Sequence, residues 1–161
     1  MYSIRKRAPR ASSPLVRRVM RNVRRRDTGA EMLLRKILFH LGLRYRLNAT
    51  PVRTIRCKAD ILFRSAQVCI FIDGCFWHRC PAHFKLPKAN SAWWGEKIQA
   101  TVERDGRQQQ LLQSRGWTVL RFWEHCITPM AVDEAVCLVE ATVAKLGADH
   151  RALQGRRITV P

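Results

Sequence analysis

The chain has 161 residues, about one domain, and 47% of them are apolar, enough to bury a real core and to exclude a disordered basic protein. Its 30 Lys+Arg against 12 Asp+Glu give a formal charge of +18, which favours polyanions as partners, DNA or RNA first; a membrane surface fits less well, because the basic segment lacks a clean apolar face. No apolar run approaches the ~20 residues of a spanning helix, and the start lacks the apolar block of a secretory signal, so a reducing compartment is expected.

The charge is concentrated at the front, where the first 26 residues hold ten basic side chains and no acid. Residues 1–12 (MYSIRKRAPRAS) read as a flexible basic arm. In 13–26 (SPLVRRVMRNVRRR), Val16, Met20 and Val23 recur at helical spacing among arginines, which suits a helix that folds against DNA or a tethered tail. Thr28 with Glu31 three residues on is a capping-box signature. It opens a helix to about Leu41 whose apolar residues include Leu33, Leu34, Ile37 and Leu38, with Gly42 at the C-terminal stop. "ADILFR" (59–64) and "QVCIFID" (67–73) predict a hairpin of central strands with a tight Ser-Ala connection. A loop follows at Gly74, then a long helix from "WWGEKI" with Ile98, Val102 and Leu112 on one face and Gly106 as a soft spot. "WTVLRFW" (117–123) predicts a third strand, with Trp117 and Trp123 assigned to the core. The last helix, about Pro129 to Leu146, carries Val132, Val136, Val139 and Val143 and ends at Gly147, leaving 147–161 as a loose basic tail. The order of elements gives one α/β domain over 13–146, a sheet covered by helices on its faces.

Of six cysteines, Cys69 and Cys137 lie in apolar runs and read as core thiols. Cys75, Cys80 and His83 form a C-x4-C-x2-H cluster, and "WEHC" offers His125 or Cys126 as a fourth donor, the set tetrahedral zinc prefers. Four protein ligands would make the site structural. The plainer alternative is free thiols and a solvated histidine. Asp60 and Asp73, at strand ends, suit a hard cation such as Mg²⁺, and His78 beside them suits proton transfer in phosphodiester hydrolysis. Taken singly, Asp60 reads as well as an edge carboxylate and Asp73 as a turn cap. Glu31 and Asp105 are further acids that helices could aim at the site; each alone is more often a cap or salt-bridge partner. Phe76, Trp77 and the Trp93-Trp94 pair could enter a base step, although composition alone favours a packed lid.

The segments "RRRDTGAEMLLRKIL", "LGLRYRLN", "IDGCFWHRCPAH", "WWGEKI", "VERD" and "GWTVLRFWEH" together resemble the very-short-patch repair (Vsr) endonuclease family, from about Ser13 to Cys126. The resemblance implies a restriction-endonuclease-like central mixed sheet flanked by helices, with a structural zinc. It implies Mg²⁺-dependent nicking of double-stranded DNA 5′ of the thymine in a T:G mismatch, starting repair of deaminated 5-methylcytosine. Carried over, Asp60 and the Ile72 backbone carbonyl hold Mg²⁺, His78 is the catalytic histidine, and Glu31 and Asp105 support the metal waters and the histidine. Asp73 stands where some members have histidine, as a water or metal ligand. Cys75, Cys80 and His83 hold Zn²⁺ with His125 as fourth ligand and Cys126 as the fallback. Phe76, Trp77 and Trp94 form the wedge that enters the duplex, and Arg17, Arg18, Arg21, Arg24 and Arg25 are assigned to the DNA backbone. A cytoplasmic, nucleoid-associated monomer is expected, with other mismatch-repair proteins as candidate further partners. The approach to Asp60, "TIRCKAD", departs from the family's Pro-Gly-Arg-Pro-like segment, which leaves Cys57 and Ala59 with a less constrained backbone. Two rivals remain: a zinc-stabilised DNA-binding module with a decayed site, and a restriction-type nuclease that cuts matched DNA.

Overall fold

The computed structural model describes residues 8–22 and 26–155. Arg24 and Arg25, most of the arm at 1–12 and the last six residues of the tail therefore lie outside the described residues. In chain order the elements are α1 (Pro14–Asn22), α2 (Gly29–His40), β1 (Arg46–Ala49), β2 (Ala59–Phe63), β3 (Val68–Asp73), α3 (Ser91–Gln113), β4 (Thr118–Trp123), a 3₁₀ turn (Glu124–Cys126) and α4 (Val132–Gly155).

Local chemistry explains the starts. Thr28 Oγ1 accepts from Glu31 N–H at 3.3 Å, and the Glu31 carboxylate reaches back to Asp27 N–H at 3.2 Å, so the first orphan amides of α2 are satisfied. The β2–β3 turn, residues 64–67, closes on Gln67 in the left-handed region at φ 52°. The strands lie in the order β1-β2-β3-β4, antiparallel except for β3 with β4, which run parallel. A parallel neighbour needs a crossover, and α3 supplies it.

Alternation along the strands sends side chains to two cores. On one face Ile61, Phe63, Val68 and Ile70 pack with Leu34 and Leu38 of α2 and Val132, Val136 and Val139 of α4. On the other, Leu62, Cys69 and Ile55 pack with Leu112 of α3 and Trp117. Fully burying an aliphatic side chain of this kind contributes about 1.5–3 kcal/mol, so the sheet is held from both sides.

Several expectations need correction. β1 was not expected: only four residues long and with Arg46 and Leu47 exposed, it is an edge strand too short to show alternation. The last helix starts at Val132, not Pro129, and runs through Gly147 to Gly155, because an isolated glycine costs only about 1 kcal/mol. Gly106 likewise leaves α3 unbroken. Cys69 is buried as expected, but Cys137 lies on the exposed side of α4. Trp117 belongs to the core, whereas half-buried Trp123 lines an open pocket. The approach to Asp60 is better fixed than its composition suggests. Ile55 is buried, Cys57 N–H donates to Ile55 O at 2.8 Å, and Gln108 Nε2 donates to Arg56 O at 2.8 Å.

Candidate active site and metal cluster

The parallel register pairs Asp73 with Trp123. Two residues beyond each, Cys75 and His125 are carried to the same place, and Cys75 Sγ lies 3.2 Å from His125 Nδ1. The turn after Gly74 folds back through Cys80 N–H to Cys75 O at 2.9 Å, and brings Cys80 and His83 to complete a group of four donors within 4.8 Å of one another. Cys126 is not in this group, so of the two candidate closing donors the structure brings His125. The S···N separations are 3.2, 3.7, 3.8 and 3.9 Å. Tetrahedral zinc with ordinary Zn–S and Zn–N bonds separates such donors by roughly 3.6 Å, so two thiols and two imidazoles at these distances fit that ion. Without a metal, burial pushes the Cys75 thiol up to about 11, with Cys80 beside it acting in the same direction. Glu124 accepts from Cys75 N–H at 2.7 Å and ties the loop to the 3₁₀ turn a second time.

Alternation puts Asp73 and Arg121 on the α3 side of the sheet, and there they meet His78 and Asp105. His78 Nδ1 lies 2.6 Å from Asp105 Oδ2 and 3.4 Å from Asp73 Oδ1. Arg121 grips Asp73 as a fork, Nε to Oδ2 at 2.7 Å and Nη2 to Oδ1 at 2.6 Å. Burial pushes Asp105 up, but hydrogen bonds from His78 and Arg104 outweigh it and hold its carboxyl below the usual carboxylate value. Asp73, His78, Asp105, Arg121 and Trp123 line an open pocket of about 280 Å³.

Asp60, on β2, accepts from Ile72 N–H at 2.8 Å, so the strand end that carries the Ile72 carbonyl is adjacent. Burial raises its carboxyl to about 6; the Ile72 bond lowers it, nearby Glu31 and Asp73 raise it further, and Arg35 lowers it. Glu31 is buried against Arg35 and also caps α2. Among the described residues, Glu31, Asp73 and Asp105 each touch a guanidinium, while Asp60 makes no ion pair.

Phe76, Trp77 and Trp94 stack edge on face, with ring centres 5.1 Å apart for Phe76–Trp77 and 5.3 Å for Phe76–Trp94. They form one wall of a cleft of about 910 Å³ whose other wall is α1, through Leu15, Val19, Arg17 and Arg21. Arg18 is exposed on the same helix. Sequence reasoning missed Arg121, Arg35 and Glu124. A signal existed for Arg121, a lone charge inside the apolar run "TVLRFW", since a charge in a strand interior needs a partner.

Comparison with known proteins fits this geometry. Residues 14–83 match the family model described as DNA mismatch endonuclease Vsr. The chain is 45% identical over 111 residues to the type II nicking enzyme V.NaeI of Lentzea aerocolonigenes, a match that covers 67% of this chain and 66%, just under two thirds, of that relative. It is 34% identical to the type II nicking enzyme V.XorIIP of Xanthomonas oryzae pv. oryzae, over 76% of this chain and 90% of the relative. It is 37% identical to the DNA mismatch endonuclease Vsr of Escherichia coli K12, over 65% and 66% respectively. The class is thus that of an endodeoxyribonuclease with an α/β sheet at its centre. More narrowly, the chain belongs to the Vsr family of DNA mismatch endonucleases.

Proposed function

We propose that this protein nicks one strand of double-stranded DNA 5′ of the thymine in a T:G mismatch, with Mg²⁺, and so initiates very short patch repair of deaminated 5-methylcytosine. The observation that carries the reading is Asp60, a half-buried carboxylate that makes no ion pair among the described residues, whereas Glu31, Asp73 and Asp105 each make one to an arginine. A hard cation prefers such an anionic oxygen, and Asp60 with the Ile72 carbonyl would hold it. Bound there, Mg²⁺ supplies charge neutralisation at the phosphate and a more acidic water. Asp105 fixes His78 through Nδ1, which leaves Nε2 to take the proton of the attacking water as the phosphate bond breaks. Glu31 holds Arg35 near Asp60 and sets the local charge. The Cys75–Cys80–His83–His125 cluster holds zinc as a structural ion and keeps the loop bearing His78 rigid.

Phe76, Trp77 and Trp94 act as the wedge, since a mismatched step costs less to unstack than a matched one. Arg17, Arg18 and Arg21, exposed on α1 beside that wedge, bind backbone phosphates, and the chain acts as a monomer. The fold reads as restriction-endonuclease-like. The names of the relatives as nicking enzymes support cutting of one strand. The test is strand cleavage of a labelled duplex with one T:G mismatch in Mg²⁺, beside the matched T:A duplex and Asp60→Ala. The expected result is a nick 5′ of the mismatched thymine, absent in both controls. Cutting of the matched duplex, or binding without cutting by the wild-type protein, would overturn it.

A further inference from the structure

We propose that Arg121 binds the phosphate that is cut, and that Asp73 is the bracket that aims it rather than a metal ligand; this rests on the nuclease reading above. Each oxygen of Asp73 accepts from the Arg121 fork, Oδ2 from Nε and Oδ1 from Nη2, so the carboxylate's charge is matched by a guanidinium rather than left for a cation. Nη2 also lies 3.6 Å from Asp105, and the guanidinium carbon sits 5.2 Å from the centre of the Phe71 ring, which supports it from the side. Nη1 makes no hydrogen bond among the described residues, and a guanidinium carries two N–H donors there. The Arg121 side chain is 23% exposed, and it opens on the pocket it shares with His78 and Asp105. A paired charge in a strand is a poor stabilising device, because apolar residues of similar volume do as well or better. One that presents unused donors to a pocket built around a histidine–carboxylate pair fits an anionic substrate.

The charge balance points the same way. Glu31 and Asp105 have their own arginines, Arg35 and Arg104, so Asp60 is the acid of this group that makes no ion pair among the described residues. Cleavage loads negative charge on the phosphate oxygens, and many nucleases meet it with two metal ions. Arg121 adds to that neutralisation a fixed cation whose orientation is set before the substrate arrives.

The experiment uses the full chain and compares wild type, Arg121→Lys, Arg121→Gln and the charge-neutral pair Asp73→Asn/Arg121→Gln, which avoids an orphaned buried carboxylate. Nicking of the T:G duplex is expected to fall in kcat by about 10²-fold or more in Arg121→Gln and in the neutral pair, with partial rescue in Arg121→Lys. Recovery of wild-type turnover by the neutral pair would mean that Arg121 only neutralises Asp73, and would overturn the proposal. Binding gives a second readout, in calcium, with the uncut duplex and with one whose scissile phosphate is a neutral methylphosphonate. Wild type is expected to lose affinity with the methylphosphonate and Arg121→Gln to lose no more; additive losses would overturn the proposal. If wild type binds but does not nick, the nuclease reading fails, and the binding comparison still decides Arg121 by the same criterion.

Discussion

Asp60 holds its charge at a cost, and that cost has a sign. Its carboxyl is raised from 3.8 to about 6, so the folded protein binds a proton more tightly than the unfolded chain. The penalty is absent below pH ~4, grows as pH rises through the window between the two values, and is complete above pH ~6. Asp60→Asn removes it while keeping an acceptor for Ile72 N–H. Without added Mg²⁺ the variant is expected to melt several degrees above wild type at pH 7.5 and level with it at pH 4, and with Mg²⁺ nicking is lost; a lower melting point at pH 7.5 would refute this account of the carboxyl. Asp105 works in the other direction, as an anion stabilised by His78 and Arg104. Asp105→Asn removes the negative charge that fixes the tautomer of His78 and would stabilise its imidazolium, and kcat is expected to drop on the order of 10²-fold in single-turnover nicking with Kd little changed. At this scale Asp60, His78 and the cysteines were legible because each is chemically unusual where it stands. Arg121 was only half legible: a lone charge inside "TVLRFW" calls for a partner, but that the partner is Asp73 follows from sheet register, which no single stretch of sequence displays.

Among the elements, the seam between β3 and β4 determines most. One ladder position, Asp73 with Trp123, brings together donors fifty residues apart, and α3 packs over the same face. Removal of the metal by a strong chelator, with Mg²⁺ kept in excess, is expected to lower the melting temperature and abolish nicking together. Cys80→Ser should reproduce both effects, and one metal ion per chain should be found by elemental analysis of wild type. Because both thiols must ionise, capture releases protons and weakens steeply as pH falls. The helices and the central strands were readable from apolar spacing and capping. β1 was not, for a four-residue edge strand carries too little pattern, and the end of α4 was misjudged because glycine stops a helix only where solvent or a following turn favours it.

For the whole molecule, charge and shape divide the labour. A formal +18 gives affinity for any duplex, so binding of matched DNA is expected to fall steeply between 50 and 200 mM salt, by about 10³-fold if six phosphates are contacted. On the reading proposed above, preference for the mismatch should depend less on salt, because unstacking rather than charge would supply it; Trp77→Ala is expected to bring T:G and T:A affinities together at every salt concentration, measured by fluorescence anisotropy. A mismatch preference that vanishes at high salt in wild type would refute that division.

The parallel seam also sets an order of events. β1, β2 and β3 are neighbours in sequence as well as in the sheet, so their pairing is local, whereas β4 pairs with β3 across the 23-residue α3 and is expected to dock more slowly. The pocket and the four-donor cluster both straddle that last joint. On the reading proposed above, cutting competence would therefore be the last property the chain acquires. If the cluster holds zinc as proposed above, a chain without the ion would keep its basic helix but lose the tie between the His78 loop and the end of β4, and so would hold DNA without cutting it.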